Sequence, residues 1–174
     1  MGTVENFNPA NLQNDVALLH LESPVTLAEH INVICMPSAG EDFEKSQNCV
    51  ANGWGKDIFG KQGRYAVILK KVELDIVPQG QCNDELRTTR LSQYFKLHKS
   101  FICAGGQPGK DTCKGDGGAP LACPFEENRY KLTGLVSLGY RVWYQRPGSV
   151  RASVLVQTMG RQHNDEMGLR YICL

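Results

Sequence analysis

The run Cys113-Lys114-Gly115-Asp116-Gly117-Gly118-Ala119-Pro120-Leu121 is where the chain could do chemistry. Closely spaced glycines let successive backbone N–H groups converge on one point, and such a nest binds an anion or an oxyanion. A glycine-rich turn without a ligand is the plain alternative. A phosphate-binding P-loop is excluded, because Gly109-Lys110 is followed by Asp111 rather than Ser or Thr.

The elements that must position this run are short and β-rich. Residues Gly105 to Gly118 contain six glycines and one proline, so they form loop rather than strand or helix. Strands are expected at Asp15–Leu19, Tyr65–Val77, Phe101–Cys103 and Lys131–Leu138, separated by Gly, Pro and polar turns. In the second of these, Val72, Leu74 and Ile76 alternate with Lys71, Glu73 and Asp75, which puts one face in a core and the other in water. Pro78 to Leu91 is the one short helical stretch, with Cys82, Leu86 and Thr89 on one side. The pattern is that of an all-β protein with antiparallel strands.

At 174 residues and 41% hydrophobic content, the chain fits one domain or most of a larger one. Nineteen basic against eighteen acidic residues give a net charge of +1 with no basic cluster, which argues against nucleic acid as a partner. No stretch approaches the roughly 20 apolar residues that span a bilayer, and the first residues lack the apolar core of a signal peptide. Seven cysteines, Cys35, Cys49, Cys82, Cys103, Cys113, Cys123 and Cys173, are well separated and form no CxxC pair, so disulfides are expected rather than a metal site. Buried free thiols in a cytosolic protein are the alternative. Nothing calls for a cofactor.

Five segments, in one order, resemble the trypsin-like serine protease family. CKGDGGAPL is similar to the C-x-G-D-S-G-G-P-L signature around the family's nucleophile, except that Gly117 stands for the serine and Ala119 for the second paired glycine. Asn14-Asp15-Val16-Ala17-Leu18-Leu19 resembles the D-I-A-L-L segment, Cys35-Met36-Pro37 the C-L-P, Asn52-Gly53-Trp54-Gly55 the G-W-G turn, and Phe101-Ile102-Cys103-Ala104-Gly105 the M-x-C-A-G. The likeness covers about Asn14 to Leu138. It implies a trypsin-like antiparallel β-barrel fold, mainly the second barrel, with the first barrel largely missing and an irregular C-terminal tail.

Carried over residue by residue, the resemblance implies that Asp15 would orient the catalytic histidine and Gly115 would give an oxyanion-hole N–H. Asp116 would pair with the amino terminus freed on zymogen cleavage, and Asp111 would form the acidic floor of a pocket for Arg or Lys. Each could also be ordinary: a strand start, a turn acid, a solvated loop acid. Glycine has no side-chain oxygen to activate, so the catalytic positions Asp15 and Gly117 are vestigial. Removing the serine of such a triad costs about 2 × 10⁶ in turnover. The family's A-A-H-C segment has no counterpart here, and His20, His30, His98 and His163 lack its context. The resemblance also implies the pairs Cys49–Cys123 and Cys82–Cys103, places a partner for Cys35 in upstream sequence, and places one for Cys113 in a G-x-G-C-G segment that does not appear.

That segment belongs after Ser137, where the likeness stops. Reading Leu138 onward from the second base of each codon permits Trp-Gly-Ile-Gly-Cys-Gly, and two outcomes need no codon choice. Trp143-Tyr144 must give GGT, glycine, and Met159-Gly160 must give TGG, tryptophan, both where the family has them. Residues 1–137 are therefore expected to be a partial trypsin-like domain and 138–174 a divergent, frameshifted tail; a genuinely divergent tail is the alternative.

Gly117 makes the resemblance closest to the clip-domain serine protease homologues of the masquerade-like, prophenoloxidase-activating type. That implies a secreted pseudoenzyme of innate immunity, a binding cofactor whose partners are an active clip-domain protease and prophenoloxidase. A trypsin-like endopeptidase, and a truncated product without function, are the competing readings.

Overall fold

The computed structural model describes residues 2–3, 7–38, 40–56, 62–105, 112, 114–143 and 150–158, the backbone alone for 2–3, 138–143 and 150–158. Nine strands and one helix are described: β1 (Gly2–Thr3), β2 (Ala17–Leu18), β3 (Cys49–Gly53), β4 (Lys70–Leu74), β5 (Ile76–Val77), α1 (Gln79–Arg87), β6 (Phe101–Gly105), β7 (Pro120–Glu126), β8 (Arg129–Trp143) and β9 (Val150–Thr158). β1 and β2 form a small pair; the others form a seven-stranded antiparallel sheet in the order β4-β3-β7-β8-β9-β6-β5. This is the all-β, antiparallel arrangement expected, although no ladder closes the sheet into a complete barrel among the described strands.

β4 and β5 occupy the two ends of that sheet yet follow one another across Asp75. The alternation of this stretch decides which side is inside: Leu74 and Ile76 are buried and Val72 half-buried, while Lys71 and Glu73 face water. The Asp75 C=O accepts the Gly105 N–H of β6 at 2.8 Å, and the Ile76 N–H donates to Ser46 C=O at 3.0 Å. The expected strand over Tyr65–Leu69 does not form. Those residues lie outside the ladder and expose Tyr65, Val67, Ile68 and Leu69.

The main core gathers Cys49, Ala51, Leu74, Ile76, Ala104, Leu121, Cys123 and Val136. A second cluster, Cys82, Leu86, Phe101 and Cys103, seats α1 on β6. Disulfides run through both, Cys49–Cys123 between β3 and β7 and Cys82–Cys103 between α1 and β6. A bridge closing a loop of this size stabilises by about 2–4 kcal/mol, mainly by restricting the unfolded chain. Cys35 is disulfide-bonded as well. Its C=O accepts the Leu132 N–H at 2.8 Å, which fastens the segment before β3 to β8. Lys131 reinforces that join: its Nζ lies 2.7 Å from Glu41 Oε1 and 4.6 Å from the centre of the Phe125 ring.

β8 continues past Ser137 as far as Trp143, and β9 inserts between β8 and β6. Over 138–143 and 150–158 the expected irregular tail therefore gives way to strand. The run Val150-Arg151-Ala152-Ser153-Val154-Leu155-Val156 explains this, since it is rich in β-branched residues and begins with a two-residue alternation.

Candidate functional site

Asp116 is the centre of the site. It sits half-buried between two turns, 114–115 and 117–118, in the segment that leads into β7. Its Oδ1 accepts the Gly55 N–H at 2.8 Å, across 61 residues of sequence. Its C=O accepts the Ala119 N–H at 2.9 Å, closing the second turn. The carboxylate lies so close to Gly53 and Gly55 that a Cβ on either would collide with it. That close approach is the physical reason for both glycines in Asn52-Gly53-Trp54-Gly55.

The turn is held to the sheet on both sides. Gly118 N–H donates to Val136 C=O at 2.7 Å, Val136 N–H donates to Ala119 C=O at 2.8 Å, and Lys56 N–H donates to Lys114 C=O at 3.0 Å. Gly115 has φ +104°, and a Cβ there would come within 2.7 Å of Tyr65 Cε1. Gly118 has φ +82°. Both positions favour glycine for backbone reasons. Gly117 differs: it is exposed, its φ is not positive, and a Cβ added there meets nothing within 4 Å. No steric demand of the described residues requires glycine at 117.

The same open space bears on chemistry. A base in hydrogen-bond reach of a serine Oγ has its nitrogen within about 4 Å of the serine Cβ, and no described residue places one there. His20 and His30 are exposed, and His98 Nδ1 is 2.9 Å from Ser100 Oγ. Asp15 is exposed after Asn14, whose φ is 57° and whose N–H donates to Ser100 Oγ at 3.4 Å. Asp15 makes no hydrogen bond or ion pair with another described residue. Asp111 and Cys113 lie outside the described residues.

Structure adds neighbours to the motif residues. Ser137, next to Val136 on β8, has a buried hydroxyl with no partner among the described residues. Asn52, Gly53, Gly55, Lys56, Lys70, Lys71, Thr112 and Asp116 line a cavity of about 280 Å³ beside the turn. Long-range packing brings Lys70 and Lys71 to the Asn52–Gly55 and Asp116 motifs, and no local spacing announces those two lysines.

The sequence model of the family described as Trypsin matches residues 2–166. Among curated proteins, Phenoloxidase-activating factor 2 of Galleria mellonella is 53% identical over 137 residues, which is 78% of this chain and 45% of that protein. Inactive CLIP domain-containing serine protease A28 of Anopheles gambiae is 45% identical over 76% of this chain and 34% of its own length. Protein masquerade of Drosophila melanogaster is 34% identical over 78% of this chain and 12% of its own. The chain spans less than half the length of these relatives.

Proposed function

The chain belongs to the trypsin family and is a homologue of clip-domain serine proteases, and on that basis we propose that it is a non-catalytic member that acts by binding. The observation that carries the reading is Gly117 where the family signature has its nucleophile. Acyl transfer needs an oxygen or sulfur to attack the carbonyl, and an intact oxyanion nest or substrate pocket does not supply one. Asp15, Gly115, Asp116 and Asp111 are in this reading inherited positions without a reaction to serve. The names of two relatives, one inactive and one phenoloxidase-activating, support the same direction.

The role that fits is a cofactor in an extracellular proteolytic cascade of the prophenoloxidase type, with an active clip-domain protease and prophenoloxidase as partners. Reconstitution tests it. Added to a mixture of an activating protease and prophenoloxidase, the chain should raise phenoloxidase activity while itself taking up no serine-directed fluorophosphonate. Stoichiometric labelling of the purified chain defeats the non-catalytic reading; an unchanged phenoloxidase yield defeats the cofactor role.

A further inference from the structure

β4 ends the sheet with β3 on one side and no described strand on the other. The residues before it project apolar side chains into water, with Val67 92% and Ile68 73% exposed, and Trp54 and Tyr65 expose large rings beside them. Exposed apolar groups next to an open strand edge mark a surface that another chain can cover. The charge here is one-sided. Residues 54–56, 62–73 and 114–116 hold five basic side chains, Lys56, Arg64, Lys70, Lys71 and Lys114, against Glu73 and Asp116, in a protein whose net charge is only +1. Three of those lysines, Lys56, Lys70 and Lys71, line the 280 Å³ cavity, where Asp116 is the one carboxylate among the described lining residues and accepts the Gly55 N–H; Lys71 Nζ also lies 3.9 Å from Glu73 Oε1.

We propose that this strip docks an extended acidic segment of a partner protein by strand addition along β4. Main-chain groups of the segment pair with the Lys70–Val72 part of β4, the end away from β6 and without a described neighbour on that side, as in recognition by β-augmentation. Alternate side chains of a strand point to opposite faces, so a segment alternating acidic and apolar residues presents carboxylates to the lysine-lined cavity and apolar groups to Val67–Leu69. Lys70 and Lys71 are exposed and border the cavity, so their charge favours a segment carrying carboxylates over one carrying ammonium groups. The inference rests on the binding reading above and specifies the chemistry of the bound partner.

The test is calorimetric titration of the full 174-residue chain with a capped peptide of about eight residues alternating Glu and Val, a matched Lys/Val peptide, and a neutral peptide with a free amino terminus. The acidic peptide should bind with a Kd below about 100 μM at low salt and weaken as ionic strength rises. Lys70→Glu/Lys71→Glu should weaken it about tenfold or more, while Lys70→Arg/Lys71→Arg retains binding. Both lysines are exposed, so both variants should keep the parent's melting transition. Equal binding of the basic or amino-terminal peptide, indifference to the charge reversal, absence of binding, or self-association that the acidic peptide does not disrupt would each overturn the proposal. Fluorophosphonate labelling is read separately, so failure of docking is distinguishable from failure of the non-catalytic reading.

Discussion

The Asp116 carboxylate accepts the Gly55 N–H at 2.8 Å and lies against the Gly53 and Gly55 backbone. This one contact joins the turn that carries Gly117 to the end of β3. Gly55→Ala drives a methyl into the carboxylate and should destabilise the protein by about 2–3 kcal/mol. Gly80 in α1 has nothing within 4 Å of an added Cβ, so Gly80→Ala should be neutral or stabilising by up to about 1 kcal/mol. Urea melts of the two variants check the contrast; equal stability would show that Asp116 moves aside without cost.

Gly117→Ser should fold like the parent, because a Cβ there has open space, and should remain inert, because no described residue puts a base within reach. Fluorophosphonate labelling and ester turnover of the variant measure this. Measurable turnover would mean that a base is supplied from outside the described residues.

The Glu41–Lys131 contact should make stability acid-sensitive. The Lys131 ammonium, hydrogen-bonded to Glu41, holds that carboxyl below its ordinary value of 4.5, helped by the Ser38 N–H and opposed by partial burial. A depressed folded-state pKa gives stability that is present above the unfolded value and is lost as pH falls through the folded value. Lys131→Met should therefore cost about 1 kcal/mol at neutral pH, with the difference from the parent shrinking below pH of about 4. Melts across that range show it; a difference independent of pH would assign the loss to packing on Phe125 instead.

Peptide mapping without reduction should recover Cys49 joined to Cys123 and Cys82 joined to Cys103. Reducing them should lower the melting temperature sharply, since each bridge is worth about 2–4 kcal/mol. Recovery of a Cys49–Cys82 peptide would contradict the strand order.

If one extra base near codons 137 and 138 produced residues 138–174, as the codon reading proposes, independent transcripts should carry one base fewer and translate into Trp-Gly-x-Gly-Cys-Gly after Ser137. Transcripts that keep this frame would leave the tail as a divergent but authentic end. The family match to residue 166 and the pairing of β9 with β8 and β6 concern the tail as it stands in this frame.

Period and punctuation made some of the fold legible. The alternation of Val72, Leu74 and Ile76 and the Cys82–Leu86 spacing announced β4, β5 and α1. β7 was hidden because Pro120 and Pro124 discourage a strand assignment; the first opens the strand and the second lies at a register shift, where the ladder tolerates proline. β3 was hidden because it ends in Gly53, which reads as a turn until Asp116 is seen pressed against it. In the site, the Gly115–Gly118 turn was evident from composition, whereas Tyr65 and the three lysines reach it only through folding of distant segments.

Gly117 has a consequence for how the position can change over generations. Serine and glycine codons can differ by a single base, and a side chain at 117 meets no steric resistance from the described residues. The described residues therefore give folding no steric reason to keep glycine here. Comparison of natural variants at position 117 would read any pressure on a reactive hydroxyl separately from the pressure on Gly53, Gly55 and Gly115, where an added Cβ collides with described residues.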